Sequence, residues 1–309
     1  MKAFQNINSQ EYFKRYGYKY GILRGLFTKW PLHFVSDYEN KKILYYRNVQ
    51  KWLEKNYLSY SQRNPQGLEF GTIACENPVW IYWKQGIENA PAIVKVCFHS
   101  IKRYSGSDVF VITDKNLSEY VHFPDYIQKK VAENKISTAA FSDLLRFTLL
   151  EHFGGTWIDS TVLLTDEIPS YYTQCDLFML RDSRGPIYNP ANLSVWFLHS
   201  QPGNKIIRET RNITYEYWKT HNAVIEYLLP YIIITMVSKI HSEDILTMPY
   251  ANNEYALLLL DRLNEEYDKQ QAEYLKFLSW IHKLSYKLSE GVFENPENFY
   301  HHIIQKGTL

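Results

Sequence analysis

The sequence is poor in cysteine and has no excess of charge of either sign. Its three cysteines among 309 residues, Cys75, Cys97 and Cys175, are odd in number and widely spaced, which argues against a disulfide framework and against a zinc site. The 34 basic and 33 acidic side chains give a formal charge of +1, so the basic surplus typical of nucleic-acid-binding proteins is missing. We therefore expect a protein of the reducing cytoplasm that binds no nucleic acid.

Long apolar segments are also missing. The most apolar stretch, residues 227–237, contains Pro230 and is much shorter than the roughly 20 residues that cross a bilayer as a helix. Residues 1–10 lack the apolar core of a secretory signal. Neither a membrane span nor a leader is therefore expected. The 45% share of apolar side chains is nevertheless large enough for a folded core, which excludes extensive disorder.

Aromatic residues, in contrast, are abundant. They make up 16% of the chain, with 26 Tyr, 16 Phe and 8 Trp, and their rings offer stacking surfaces for sugars, nucleobases or membrane interfaces. Residues 12–34 add five basic side chains and no acidic one to this background. Two interpretations are equally compatible with that segment: a helix on an anionic membrane surface, or a helix packed on the protein with a solvated basic edge. The basic residues are Lys14, Arg15, Lys19, Arg24 and Lys29.

Beyond a turn at residues 64–67, strands and helices are predicted to alternate, as they do in α/β proteins. Residues 79–83 form a short, continuously apolar run between Pro78 and Gly86, which is typical of a strand buried on both faces. Further helices are predicted at 93–104, 124–133 and 138–152, and further strands at 109–112, 156–164, 177–180 and 195–198.

From residue 202 onwards the pattern is mostly helical. Helices are predicted at residues 206–219, 223–238 and 254–287. We divide the chain into an N-terminal basic aromatic segment, an α/β core and a C-terminal helical region, and we expect them to form one integrated domain. Their boundaries are 1–69, 70–201 and 202–309.

The most informative residues lie between 137 and 165. Asp143 and Arg146 are three apart on a predicted helix and therefore adjacent, while Gly154 suits the end of that helix. Asp159 follows in an apolar strand, where a carboxylate is costly to bury without a partner. Ligands gather at the carboxyl ends of parallel strands, so this pattern predicts nucleotide binding. Considered as an isolated pair, Asp143 and Arg146 also fit a surface ion pair. Considered alone, Asp159 also fits a turn or cap residue.

The string SDLLRFTLLEHFGGTWIDSTV, residues 142–162, resembles the signature of the capsular polysaccharide synthesis glycosyltransferases. That family is related to the DXD-sugar-binding proteins, to glycosyltransferase family thirty-two and to clostridial toxin glucosyltransferases. The resemblance is specific around 137–165 and looser over 76–287. It implies a GT-A-like α/β core with a mostly parallel central sheet, N-terminal and C-terminal helical additions, the latter on the acceptor side, and retaining chemistry.

The resemblance also implies roles for individual residues. Asp143 and Arg146 would hold the nucleoside and ribose of a nucleotide-sugar donor, and Asp159 would be the catalytic first acid of an Asp-x-Asp element. Trp83 would stack on the base, although by itself it fits a core residue much better. Gln85 and Gly86 would lie beside the donor.

The sequence departs from the Asp-x-Asp pattern in a way that affects metal binding. The element normally lets Mn²⁺ or Mg²⁺ bridge the diphosphate, but Thr161 stands where the second acid would be. Asp159 would then need help from other oxygens to hold the ion. The C-terminal string HKLSYK resembles the family too, and we expect Lys283, with Lys287 or His282, to hold the diphosphate. Lys283 and Lys287 would lie one helical turn apart, and an exposed basic helix end is the alternative.

Taken with these features, the resemblance implies a cytoplasmic retaining glycosyltransferase, and within that class we expect a hexosyltransferase. The donor would be a nucleotide sugar, UDP-linked, and the acceptor a glycan or lipid-linked oligosaccharide of a bacterial capsular or surface polysaccharide. Residues 12–34 would contact the inner face of the cell membrane. The alternative is a non-catalytic nucleotide-sugar-binding component of a polysaccharide assembly complex, which Thr161 favours.

Overall fold

In the part of the chain that the structure describes, the strands belong to three sheets. The computed structural model describes residues 9–28 and 38–309. In that part of the chain the strands, in chain order, are β1 (Glu69–Phe70), β2 (Val79–Tyr82), β3 (Val109–Ile112), β4 (Val121–His122), β5 (Gly155–Ile158), β6 (Val162–Leu164), β7 (Leu177–Arg181), β8 (Leu193–Ser200) and β9 (Ile281–Lys283).

Helices precede, connect and follow these strands. Within the same residues the α-helices are α1 (Ser9–Thr28), α2 (Tyr38–Tyr57), α3 (Ala92–Tyr104), α4 (Leu117–Tyr120), α5 (Asp125–Ala132), α6 (Thr138–Phe153), α7 (Gly185–Tyr188), α8 (Lys205–Thr220), α9 (Leu229–Ile240), α10 (Ser242–Thr247), α11 (Asn253–Arg262), α12 (Lys269–Leu278), α13 (Gly291–Glu294) and α14 (Phe299–Lys306), with short 3₁₀ helices at Leu58–Tyr60, Ile87–Asn89 and Ser170–Tyr172.

The central sheet has five strands in the order β3-β2-β5-β8-β7. Strand β2 is parallel to both β3 and β5, whereas β8 is antiparallel to β5 and to β7. Four strands therefore run in one direction and β8 runs against them. The predicted α/β class with a mostly parallel sheet is confirmed, and so are the strands predicted near 79–83, 109–112, 177–180 and 195–198.

Helices cover both faces of this sheet, so its central strands are buried on both sides. Trp80 and Trp157 face one core, which contains side chains of α6, α8 and α9. Ile81 and Ile158, next to them in sequence, face the other core together with Ile101 of α3. This alternation is what a pleated strand requires. It explains why β2 consists of four buried apolar residues in a row.

The strand predicted over 156–164 is in fact two strands in different sheets. β5 ends at Ile158 and β6 begins at Val162, because the amide of Val162 donates to the carbonyl of Asp159 at 3.0 Å and closes a turn. Polar residues at 159–161 interrupt the apolar run and favour a turn there. β6 then leaves the central sheet and pairs antiparallel with β9.

The C-terminal region is mostly helical, as predicted, but two helices are shorter than expected. α9 begins only at Leu229 because Pro230 suits the first turn of a helix, so residues 222–228 are not part of it. The helix predicted over 254–287 is wrong: it is divided into α11, α12 and β9. Asp268 caps the start of α12 by accepting a hydrogen bond from the amide of Gln271 at 2.7 Å, and the chain changes direction before it.

The basic aromatic segment is described only in part. α1 is interrupted at Gly17, which has non-helical backbone angles, and residues 29–34 lie outside the described residues. Tyr16 is buried, and its hydroxyl lies 3.0 Å from that of Tyr217, so the segment packs on the domain at this point. Tyr18 is 77% exposed. In the described residues, no helix combines the length and the apolar character needed to cross a bilayer.

Candidate active site

A carboxylate lies at the carboxyl end of β5, at the edge of the central sheet. The backbone amide of Asp159 donates to the carbonyl of Trp196 at 2.8 Å, so the pairing with β8 continues up to this residue. Its side chain is one-quarter exposed. The indole N–H of Trp157, two residues earlier on the same side of the strand, donates to Asp159 Oδ1 at 2.9 Å. Asp159 is therefore held by the strand and still open to an incoming ligand.

A buried arginine joins this carboxylate to a second one. Arg146 Nη2 lies 3.1 Å from Asp143 Oδ1 and 3.3 Å from Asp159 Oδ1. The Arg146 side chain is only 4% exposed, and its other nitrogens donate to the carbonyls of Val195 at 2.5 Å and Ser142 at 3.3 Å. The guanidinium also stands 5.0 Å over the Trp157 ring. The three residues named from the sequence thus meet in one cluster.

Two glycines between α6 and β5 make this meeting possible. Gly154 and Gly155 have φ angles of 68° and 90°, which other residues rarely adopt. A Cβ on Gly155 would lie 2.1 Å from the carbonyl oxygen of Pro78. The helix can therefore turn directly into the strand, and its first turns, which carry Asp143, lie beside the far end of β5. Ser137 begins α6 by accepting a hydrogen bond from the amide of Ala140.

A lysine from the C-terminal region completes the cluster. Lys283 Nζ donates to Thr161 Oγ1 at 2.6 Å and to the carbonyl of Leu284 at 3.3 Å, and it lies 3.6 Å from Asp159 Oδ2. The pairing of β9 with β6, in which Lys283 is opposite Val162, brings it there. Strand pairing, and not the predicted helix, therefore positions this side chain.

The two other residues predicted to accompany Lys283 are placed differently. His282 points to the opposite face of β9, is fully buried, and has neither ring nitrogen hydrogen-bonded among the described residues. Its burial lowers the pKa to about 4, so it is a neutral core residue and not a phosphate ligand. Lys287 lies past the end of the strand, with its ammonium 5.4 Å from the centre of the Tyr286 ring. The predicted helical spacing of Lys283 and Lys287 is wrong because residues 281–283 form a strand.

Burial and charge shift the protonation of the cluster. Burial raises the pKa of Asp143 to about 7; Asp159 acts in the same direction, and Arg146 opposes both. Burial alone would lower the pKa of Arg146, but the two carboxylates raise it, so the guanidinium keeps its proton. Near neutral pH, Asp143 therefore exists in both protonation states. Protonation of Asp143 makes the net charge of the cluster more positive, which favours binding of an anionic ligand.

Aromatic side chains surround the same edge of the sheet. Since Trp80 is level with Trp157 in the parallel pair β2 and β5, Trp83 emerges at the edge where Asp159 lies. Its ring meets that of Tyr286 edge-on at 5.2 Å. Trp83 is half-buried, and its indole nitrogen has no hydrogen-bond partner among the described residues.

The loop after β2 carries the other residues predicted to lie beside the donor. Gly86 has a φ of 85°, and its amide donates to the carbonyl of Trp83 at 3.0 Å. The carbonyl of Gln85 accepts a hydrogen bond from Asn89 at 3.0 Å. Both residues therefore shape a tight turn at this edge, with the Gln85 side chain outside the cluster's hydrogen bonds.

Two tyrosines at the cluster were not predicted from the sequence. Burial raises the pKa of Tyr227 and of Tyr231, and the charges of Asp143 and Asp159 raise both further, which reports that the phenols lie near these carboxylates. Tyr227 is 59% exposed. Tyr231 lies in the first turn of α9 and Tyr227 in the turn that precedes this helix; both belong to the most apolar run of the chain, whose spacing gave no signal that they meet these acids.

Comparison with known proteins identifies the family. The family model described as "Capsular polysaccharide synthesis protein" matches residues 32–303. The chain belongs to this capsular polysaccharide synthesis family. Among solved structures, "PaToxG Glycosyltransferase" aligns with 14% sequence identity and a TM-score of 0.38, covering 78% of this chain and 96% of that one. No curated protein sequence matches.

Family membership confirms the resemblance seen in residues 142–162. The region that the family model matches contains the whole cluster of Asp143, Arg146, Asp159 and Lys283. The motif residues thus meet at the edge of the sheet where ligands of open α/β folds bind.

The donor set of the cluster does not fit a divalent cation held by the protein. Among residues 9–28 and 38–309, no three His, Cys, Asp or Glu side chains form a group that could hold a metal ion. Asp159 already faces Arg146 with one oxygen and Lys283 with the other, and residue 161 is threonine. The expected Mn²⁺ or Mg²⁺ therefore has one carboxylate with two cations beside it, where such ions prefer several oxygen ligands.

A separate cleft lies at the other end of the sheet. It has a volume of about 650 Å³ and is lined by Asp176, Leu177, Lys205 and Asp244 among others. Leu177 is opposite Ser200, which is opposite Gly155 at the start of β5. This cleft is therefore remote from Asp159, and its lysine is paired with Asp244 at 2.9 Å.

Proposed function

We propose that the protein is a glycosyltransferase that takes a sugar from a nucleotide donor, UDP-linked, and adds it to a growing capsular or surface glycan. Family membership supports a glycosyltransferase role in capsular polysaccharide synthesis. The single observation that carries the site assignment is the cluster of Asp143, Arg146, Asp159 and Lys283 at the carboxyl edge of the sheet.

Arg146 acts in this proposal by positioning the two acids. Its guanidinium is buried and contacts Asp143, Asp159, Val195 and Ser142, so little of it is left for a ligand. The second oxygen of Asp143, and that of Asp159 beside Lys283, are then the acceptors for donor hydroxyls. A carboxylate with a pKa of about 7, as Asp143 has, accepts a hydrogen bond from a ribose hydroxyl when ionised.

For the transfer step, a site that stabilises the anionic leaving group matters more than a general base. The bond between the sugar C1 and the diphosphate oxygen breaks, and its electron pair stays on that oxygen, within reach of Lys283. The acceptor hydroxyl forms the new bond to C1 on the same face and gives its proton to the leaving diphosphate, which retains the anomeric configuration. Catalysis then rests on positioning and on electrostatic stabilisation of the leaving group.

The acceptor is a glycan or a lipid-linked oligosaccharide in this proposal. Exposed Tyr227 stands beside the acids and offers a ring on which a sugar can stack. Peripheral contact with the inner face of the cell membrane remains part of the proposal. Exposed Lys14, Tyr18 and Lys19 on α1 support it, while Tyr16 is buried against the domain.

Release and transfer of sugar from a panel of labelled nucleotide sugars test the proposal. The wild-type protein is expected to turn over one donor, and Asp159→Asn to lose at least 100-fold in rate, in the range typical for a positioned charged group. Exposed Asp261 provides the matched control, with Asp261→Asn close to wild type. Undiminished turnover by Asp159→Asn would contradict the assignment. UDP binding without turnover of any donor would indicate the non-catalytic alternative.

A further inference from the structure

The ammonium group of Lys283 occupies the position between residues 159 and 161. It is 2.6 Å from Thr161 Oγ1 and 3.6 Å from Asp159 Oδ2. In an Asp-x-Asp element, these are the two side chains that face a bound divalent ion. In this chain a side-chain cation stands between them.

The backbone holds this cation in place. β9 pairs with β6 over three residues, from Val162 opposite Lys283 to Leu164 opposite Ile281, and the amide of Leu284 donates to the carbonyl of Thr161 at 2.9 Å. The alternation of the strand sends Lys283 to the site and its neighbour His282 into the core. The position of the ammonium is therefore built into the pairing of two strands and does not depend on a loop.

The same geometry disfavours a second cation. One oxygen of Asp159 is engaged by the Trp157 indole and by Arg146, and the other faces Lys283. A divalent ion at this carboxylate would stand beside two positive charges in a partly buried place, where charges repel strongly. Thr161 would contribute only a neutral oxygen that already accepts from Lys283.

The ammonium is also able to receive a phosphate. Lys283 is 21% exposed, and lysine has three N–H donors. Within the described part of the chain, two hydrogen bonds from this ammonium are made, to Thr161 and Leu284. The contact with Asp159 Oδ2 at 3.6 Å is longer than a hydrogen bond, so the third N–H can still donate to an incoming oxygen.

We propose that Lys283 is the resident cation of the donor site, so that the nucleotide diphosphate binds and the leaving group is stabilised without a divalent metal. When the C1–oxygen bond breaks, the negative charge that develops on the diphosphate faces this ammonium, and the acceptor proton goes to the diphosphate as in the step above. The inference rests on the proposed function and specifies which cation stabilises the diphosphate in it.

Calorimetric titration of UDP tests the inference apart from turnover. The wild-type protein, treated with EDTA, is expected to bind UDP as tightly as it does in 1 mM Mn²⁺, within about twofold. Lys283→Met should bind UDP on the order of 10- to 100-fold more weakly, as expected for the loss of one charge-assisted hydrogen bond. Lys283→Arg should retain metal-independent binding, and exposed Lys269 supplies the control Lys269→Met, expected to match wild type.

The outcomes separate this inference from the proposed function. UDP binding that requires Mn²⁺, or Lys283→Met binding as tightly as wild type, would overturn the inference and leave the glycosyltransferase proposal standing. Absence of UDP binding in EDTA and in Mn²⁺ alike would contradict both. If Lys283→Met does not fold, as judged by circular dichroism, two measurements still test the inference: UDP binding by the wild-type protein in EDTA against Mn²⁺, and UDP binding by Lys283→Arg. Electron paramagnetic resonance of Mn²⁺ gives a second readout: its free-ion signal should not fall when wild-type protein is added.

Discussion

Replacing Arg146 by methionine is expected to destabilise the protein strongly, and more at alkaline than at acidic pH. The guanidinium is 4% exposed and contacts carboxylates at 3.1 and 3.3 Å. Methionine keeps an unbranched apolar stem, although a shorter one, and removes the charge. Asp143 and Asp159, which are 19% and 25% exposed, are then left without the cation that lies between them.

The size of the effect follows from the cost of an unpaired buried charge. Removing one partner of a buried ion pair costs about 3–5 kcal/mol, and we expect a loss of that order at pH 8. Burial raises the pKa of Asp143 to about 7 already in the presence of Arg146, which lowers it. Without Arg146 this pKa rises further. The stability that a carboxyl with a raised pKa contributes is lost as the pH rises through its pKa in the folded state. Arg146→Met should therefore lose clearly less free energy of unfolding at pH 5, where Asp143 is protonated, than at pH 8.

Unfolding by guanidinium chloride, followed by tryptophan fluorescence at pH 5 and pH 8, measures both losses. Arg262, which is partly exposed and pairs with Glu265 at 3.0 Å, provides the control: Arg262→Met should change the free energy of unfolding by less than about 1 kcal/mol at either pH. A loss below 1 kcal/mol for Arg146→Met at pH 8, or equal losses at the two pH values, would refute the reasoning.

Three further predictions concern neighbouring positions. Gly155→Ala should cost more than 2 kcal/mol of stability in thermal unfolding, because its Cβ would meet a backbone oxygen at 2.1 Å, whereas Gly106→Ala, with a φ of 68° and open space around it, should cost roughly 1–2 kcal/mol. Asp143→Asn removes a carboxyl whose raised pKa weakens the fold as the pH rises from 4 to 8. The free energy of unfolding of this variant, relative to that of wild type, should therefore increase over this pH interval. A constant difference would contradict the raised pKa. Trp83→Ala should weaken UDP binding by about 1–3 kcal/mol if its ring stacks on the base, while exposed Tyr274→Ala should not, and equal affinities would leave Trp83 a core residue.

Local patterns were sufficient to predict the part of the site that lies in one segment. Asp143 and Arg146 are neighbours because they are three apart on a helix, and Gly154 ends that helix as expected. The need of Asp159 for a partner followed from the apolar strand around it, and Arg146 is that partner at 3.3 Å. Each of these conclusions depends on residues within about 20 positions of one another, where spacing carries information.

The rest of the site depends on contacts between distant segments, for which spacing gives no signal. Lys283 reaches Thr161 only because β6 and β9, each of three residues, pair across more than 100 residues of chain. A helical pattern in residues 254–287 concealed that strand, and its leucine run belongs to α11 alone. Tyr231 joins the site through the packing of α9, and Tyr227 through the turn before that helix, neither of which the sequence specifies. The division of the chain at residues 69 and 201 remains a prediction.

A crystal structure of the protein with UDP or a UDP-sugar tests the central claim most directly. The account predicts a diphosphate oxygen within about 3 Å of Lys283 Nζ and the ribose beside Asp143 and Asp159, at the carboxyl edge of the central sheet. A nucleotide bound in the cleft at the opposite edge, near Lys205 and Asp244, or one that leaves Lys283 without a phosphate contact, would contradict it.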